Sequence, residues 1–174
     1  MKRLLWLIPI AAIIGLDQLT KWLVVNVLGL DQKGEPITVI GGVLDFTYHE
    51  NTGMALGLLD QKDERWIFMV ASTIAIIAIL IVMFVYYKRF YNPLLYTGLA
   101  FIAGGGIGNM IDRTILGYVV DFIDFQPLIP FWKWIFNVAD AFVCVGSALV
   151  IIQVLVSDFK ESRKNKTGDH SSQN

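Results

Sequence analysis

Cysteine is almost missing from this chain. Cys144 is the one thiol, so a disulfide framework and a thiolate metal cluster are both excluded, and its place in an apolar run predicts a small core side chain. Histidine is nearly as scarce: His49 and His170 are the two, the second in a polar tail, and no H-E-x-x-H is present. Zinc hydrolysis therefore lacks its ligands, and a Ser-His or Cys-His nucleophile has only His49 to draw on. Charge is thin as well, with 17% charged residues and a formal net charge of -1. No basic stripe with interleaved aromatics appears, which argues against a nucleic-acid partner. What the chain does have is apolar surface. Of 174 residues 55% are hydrophobic, the mean hydropathy is +0.58, and a soluble domain has about 45–50% apolar residues. The composition is that of a small polytopic membrane protein without internal repeats.

Residues 1–28 begin like a secretory signal, with Lys2 and Arg3 before an apolar run, but no A-x-A cleavage site follows and Asp17 and Lys21 interrupt the run. This segment is expected to be a retained first span. A span needs about 17–25 apolar residues, which gives four: about 4–25, 66–87, 94–111 and 135–156. Lys2, Arg3, Lys88, Arg89 and the tail cations Lys160, Arg163, Lys164 and Lys166 fall on one side, which the positive-inside rule makes cytoplasmic, with both termini there. Segments 29–65 and 112–134 are then extracytoplasmic. In the first, Asp31, Glu35, Asp45, Glu50, Asp60, Asp63 and Glu64 outnumber Lys33, Lys62 and Arg65. The membrane domain covers residues 1–158, and 159–174 form a cytoplasmic polar tail, expected to be disordered.

Within 29–65 the stretch ITVIGGVLDFTYHENTG mixes β-branched and aromatic residues with glycine punctuation, predicting short strands on the membrane surface. The fold class is thus an all-α membrane bundle of four transmembrane helices with a small extracytoplasmic β-sheet element. Trp66, Tyr118, Trp132 and Trp134 stand near the outer boundaries, where an aromatic belt belongs.

The polar residues inside the spans share one depth. At a 1.5 Å rise per residue, Asp17 lies about 10 Å below the outer edge of a core about 30 Å thick, and Asp140 and Asn109 lie about 8–9 Å below it. An ionisable side chain at that depth costs at least about 2.5 kcal/mol, so each needs a reason. Asn137, Asp140, Cys144 and Ser147 recur at helical spacing and can form one stripe facing the bundle. Gly104 and Gly108 stand in a GxxxG relation that admits a neighbouring backbone. Asp112 and Arg113 follow at the outer end, where an internal ion pair between them is a candidate support. In YVVDFIDF, after a turn at Gly117, Asp124 is expected in a solvated interfacial loop. Asp121, flanked by Val119, Val120 and Phe122, is expected to be drawn toward the level of Asp140.

Two carboxylates about 4 Å apart repel by roughly 4 kcal/mol at an effective dielectric near 20, about three pK units. Such a pair shares one proton near neutrality. It then offers an ionised base for water and an acid for a carbonyl, as in aspartic proteases, with no metal and no cofactor.

NTG at 51–53, GNMIDR at 108–113, VVDF at 119–122, FNVAD at 136–140 and DQLTK in the first span together resemble the ordered motifs of the bacterial lipoprotein signal peptidases, signal peptidase II. The resemblance runs from about Leu16 to Ser147. It implies an aspartyl endopeptidase of the bacterial cytoplasmic membrane that cuts the signal peptide from lipidated prolipoproteins, just before a diacylglyceryl-modified cysteine. It carries the catalytic dyad to Asp121 and Asp140, and supporting or substrate-binding roles to Asp17, Asn51, Gly53, Asn109, Asp112, Arg113 and Asn137. Met54 and Leu56 depart from the family pattern, which often has a small residue and then an aromatic there. Asp17 has a second reading as the i, i+4 ion-pair partner of Lys21, and Asn51 as a turn residue. The expected partners are lipidated prolipoproteins and membrane lipid, with the enzyme a monomer. The rival classes are a proton-coupled transporter, since intramembrane carboxylates also mark ion paths, and a non-catalytic assembly factor. Against the transporter, no polar residue lines the cytoplasmic half of the last three spans.

Overall fold

The computed structural model describes residues 2–53, 65–125, 128 and 134–171. Met54 and Leu56, Lys62 and Trp132 lie outside them. The chain is mostly helical, with a three-stranded antiparallel sheet at one end of the bundle. Helix α1, Leu7–Trp22, is preceded by a 3₁₀ turn, Lys2–Trp6, and followed by a π turn, Leu23–Val27. Strands β1, Ile37–Ile40, and β2, Leu44–Asn51, come next. Helices α2, Arg65–Phe84, and α3, Tyr87–Phe90, lead into α4, Pro93–Ile115. Strand β3, Val119–Asp124, precedes α5, Val138–Ser171.

Among the described residues three helical stretches are long and apolar enough to cross a membrane: Lys2–Val27, Pro93–Ile115 and Val138–Lys160. Met69–Phe84 is a shorter apolar helix. Leu5, Ile8, Ile74, Ile77, Ile151 and Leu155 are exposed on these helices, as side chains solvated by acyl tails would be.

Helix α4 is central, and its local sequence explains both ends. Asn92 caps it, its Oδ1 accepting from Leu94 N at 2.9 Å and Leu95 N at 3.1 Å, with Pro93 in the first turn, where its missing N–H costs nothing. At the other end Gly117 takes φ +82° and its N–H reaches Arg113 O at 3.2 Å, the left-handed stop that glycine adopts without a Cβ penalty. Between the ends, α4 turns a different glycine to each neighbour. A Cβ on Gly104 would stand 2.9 Å from Ile13 Cβ of α1, and one on Gly98 2.7 Å from Gly146 O of α5. A Cβ on Gly106 would stand 3.1 Å from Ile76 of α2. Gly105 is closer still, its Cβ position falling on Ala139 O. The GxxxG pair thus receives α1, while Gly98 and Gly105, one heptad apart, form a second seam against Ala139 and Gly146.

The α5 stripe differs from its expected course. Asn137 is buried and Asp140 half-buried, but Cys144 is exposed, because the seam against Gly98 and Gly105 turns Ala139, Val143 and Gly146 inward instead. The tail differs too: α5 continues to Ser171 where disorder was expected. Extending a formed helix costs far less than nucleating one, and Lys, Glu and Arg are good helix formers.

The sheet has the order β1-β2-β3. Gly41 and Gly42 turn β1 into β2, Gly42 at φ +71°. The unforeseen element is β3, read as an interfacial loop from sequence. It pairs with β2 in a register that sets His49 opposite Asp121 and Asn51 opposite Val119. Phe136 then exchanges backbone hydrogen bonds with Ile123 at 2.8 and 3.1 Å, which pins the chain beside β3 just before α5 starts. Val24, Leu30 and Phe122 are buried between sheet and helices, while Met83, Tyr96, Ala100 and Ala103 form the core at the far end.

Candidate active site

The five polar segments singled out in the sequence meet at the junction of sheet and bundle. The nearer of two carboxylate groups is held by a cation. Asp17, fully buried, sits 2.8 Å from Lys21 Nζ, one helical turn on in α1. Its other oxygen accepts from Ala139 N at 2.9 Å, in the first turn of α5, where an anion is favoured by the helix dipole. The same Lys21 Nζ lies 2.8 Å from Asp112 Oδ2 and donates to Asn109 Oδ1 at 3.0 Å. Gln18 Nε2 donates to Asp112 Oδ1 at 2.8 Å. Val120 N donates to Asp112 Oδ2 at 3.1 Å, tying β3 to α4. The expected pairing of Asp112 with Arg113 is therefore replaced by pairing with Lys21, because residues adjacent on a helix point apart. Arg113 is half-buried, near enough to Asp140 and Asp121 for its charge to act on both.

The second group has amides for partners. Asn137, fully buried, donates from Nδ2 to Asp121 Oδ1 at 2.6 Å, and its backbone N–H donates to Asp140 Oδ2 at 3.3 Å. Asn109 Nδ2 donates to Asp140 Oδ1 at 2.7 Å, and Asn109 Oδ1 accepts from Asn137 Nδ2 at 3.0 Å. Asn51 Nδ2 donates to Asp121 Oδ2 at 2.8 Å, while its Oδ1 accepts from Gly53 N at 2.9 Å. That turn, with Gly53 at φ +91°, aims the Asn51 amide at Asp121. Asn51 thus sits at a turn, and both polar ends of its side chain bond groups of the protein, Asp121 and Gly53.

Burial pushes the Asp121 carboxyl up to about 7, the nearby Asp140 carboxylate pushes the same way, and the amide bonds from Asn51 and Asn137 and the charge of Lys21 oppose both. Asp124 departs from its expected solvation: it is 8% exposed at the end of β3, opposite Asp45. It became buried because 119–124 forms a strand covered by neighbours rather than a loop. Among the described residues no three His, Cys, Asp or Glu side chains are grouped to hold a metal.

Two participants were not anticipated in full. Lys21 was read as a partner of Asp17 alone, and Gln18 was not singled out. The available signal was the depth of Lys21, since a cation inside a span calls for every carboxylate within reach.

Comparison with known proteins gives a consistent result. The profile of the family described as Signal peptidase (SPase) II matches residues 9–156. A lipoprotein signal peptidase of Brevibacillus brevis is 39% identical over 163 residues, covering 93% of this chain and 100% of that protein. One of Bacillus subtilis is 41% identical over 156 residues, covering 87% and 94%. A solved structure described as a bacterial membrane enzyme, determined in meso at 2.3 Å, superposes with a TM-score of 0.74 at 29% identity, covering 88% of each chain.

Proposed function

The chain belongs to the signal peptidase II family of peptidases, and from that premise we propose that it removes signal peptides from lipoprotein precursors with Asp121 and Asp140 as its catalytic dyad. One observation carries the assignment of residues: Asn137 hydrogen-bonds both carboxylates, so two acids from different elements are held together by neutral donors, with no direct ion pair to either among the described residues. A pair held this way keeps one proton between them. The ionised member takes a proton from water, the resulting hydroxide adds to the scissile carbonyl carbon, and the protonated member gives its proton to the carbonyl oxygen. Collapse of the tetrahedral intermediate breaks the C–N bond, and the amine leaves with a proton returned by the dyad. Asn51, Asn109 and Asn137 orient the dyad. Asp17, Asp112, Lys21 and Gln18 hold α1, α4, α5 and β3 in register beneath it.

The placement in the membrane supports a lipid-bearing substrate cut before its modified cysteine. Four spans with both termini cytoplasmic put the dyad about 8–9 Å below the outer edge, with the sheet above it on the membrane surface. A soluble loop would have to unfold into lipid to reach that level, whereas a signal helix is already there. Buried methylenes contribute about 0.8 kcal/mol each, so the two acyl chains of a diacylglyceryl group fix the depth of the bond beside them.

Purified protein incubated with a diacylglyceryl-modified prolipoprotein, with and without EDTA, tests this reading. Cleavage before the modified cysteine, retained in EDTA and at least about tenfold faster than on the unmodified precursor (about 1.4 kcal/mol), is expected. No cleavage, or loss on chelation with recovery on added metal, would contradict it. A membrane-impermeant thiol reagent is expected to label Lys62→Cys but not Lys164→Cys in intact cells, after Cys144→Ser.

A further inference from the structure

The opposite end of the bundle carries a second concentration of charge, of one sign. The 3₁₀ turn ahead of α1 meets the bend between α2 and α3, and Arg3 Nη1 fastens them by donating to Phe84 O at 2.8 Å. At this junction lies a cavity of about 650 Å³ whose walls include Lys2, Arg3, Lys88 and Arg89 together with Tyr86 and Tyr87, and no acidic residue among the described ones. We propose that this cavity binds a phosphate-bearing anion, and that its source is the headgroup of an anionic membrane lipid.

Charge is the first ground. Four cations brought to one concavity repel each other and raise the local concentration of counter-ions. Arg3 spends one of its five N–H donors on Phe84 O, and a guanidinium matches the geometry of phosphate oxygens. Position is the second. Tyr86 on the cavity wall and Phe90 and Tyr91 just after Arg89 are exposed, and so are Leu4 and Leu5 in the 3₁₀ turn that carries Arg3. An aromatic rim above exposed leucines is the pattern of a headgroup boundary, so the cations stand at phosphate level, as in basic pockets between helices that take lipid headgroups. Arg3 precedes Asp17 by about 21 Å of helix, which separates this cavity from the dyad. A headgroup seated there joins the start of α1 to the α2–α3 bend, alongside the Arg3 bond. The site stands whether or not Asp121 and Asp140 are the dyad.

Native mass spectrometry of the full-length protein with an equimolar mixture of phosphatidylglycerol and phosphatidylcholine tests it. The expected result is at least about fivefold preference for phosphatidylglycerol, the weight of one basic residue near an anionic surface. Lys88→Gln/Arg89→Gln, which spares the Arg3 bond, is expected to abolish the preference, while Lys160→Gln/Arg163→Gln, with the same loss of charge on α5, keeps it. Excess inorganic phosphate identifies the source. Lipid retained in its presence supports the headgroup, whereas lipid displaced by a bound phosphate supports the anion site with free phosphate as its occupant. Neither lipid preference nor phosphate binding, a preference unchanged in Lys88→Gln/Arg89→Gln, or one lost equally in the α5 variant would overturn the proposal.

Discussion

Two pairs of carboxylates, all buried except the half-buried Asp140, sit side by side in this protein and are treated in opposite ways. Asp17 and Asp112 close on the ammonium of Lys21, each at 2.8 Å. Asp121 and Asp140 receive the amides of Asn51, Asn109 and Asn137. A counter-ion shared by two carboxylates offsets one of their two charges and, with the N–H donors of Gln18, Val120 and Ala139, makes a fixed strut. Neutral donors orient a carboxylate without cancelling its charge, so the repulsion between the two acids remains and a proton is what relieves it. On the proposed reading the same residue type serves architecture or proton transfer according to its partner. Asn109 joins the halves, accepting from Lys21 at 3.0 Å and donating to Asp140 at 2.7 Å.

The comparison can be broken first at the strut. Removing one partner of a buried ion pair leaves an uncompensated charge and costs about 3–5 kcal/mol; in Lys21→Met two carboxylates are abandoned at once. Lys21→Met is expected to unfold by that much more easily in a denaturant titration in detergent, and Lys21→Met/Asp17→Asn to recover part of the loss. Wild-type stability in Lys21→Met would show that the cation is no strut. A smaller effect sharpens the other half. Asn137→Ala deletes the donor to Asp121 and an amide–amide bond to Asn109, and unsatisfied buried partners cost about 1–3 kcal/mol. Cleavage by folded Asn137→Ala is therefore expected to slow by about 10–100-fold, with the lipid preference of the substrate unchanged. The mildest perturbation is a change of pH. A dyad that needs one proton loses it as pH rises, and with Asp121 raised to about 7 the rate should fall on the alkaline side through about that value, not rise. A flat initial-rate profile from pH 6 to pH 9 would remove the shared proton.

The Asp17–Lys21 half of the strut and the common level of Asp17, Asn109 and Asp140 along their helices were legible in sequence, because both follow from helical rise and spacing. Asp17, Asn109 and Asp140 fall at one level by counting residues, and in the structure they are joined through Lys21, Asn109 and Ala139. Gly104 and Gly108 announced a close helix neighbour in the same way. What could not be read depends on contacts distant along the chain. Strand β3 forms because β2, some 70 residues earlier, offers it an edge, and only that pairing buries Asp124 and sets Asn51 on Asp121. Cys144 looked like core because α5 is apolar all round, and such a helix does not disclose which face it packs. The pairing of Asp112 with Lys21 rather than Arg113 reflects the crossing of α1 and α4, which spacing within α4 cannot specify.

The central claim is that the amide-held pair performs the chemistry, and one measurement tests it most directly: initial rates of cleavage of a single lipidated prolipoprotein by purified wild type, Asp121→Asn, Asp140→Asn and Asp124→Asn, each checked for normal insertion and folding. General acid–base catalysis supplies about 10²–10⁴-fold, so Asp121→Asn and Asp140→Asn should each be slower by about 100-fold or more, while Asp124→Asn stays within about tenfold of wild type. Substantial activity in folded Asp121→Asn or Asp140→Asn, or an Asp124→Asn as inactive as Asp121→Asn, would contradict the account.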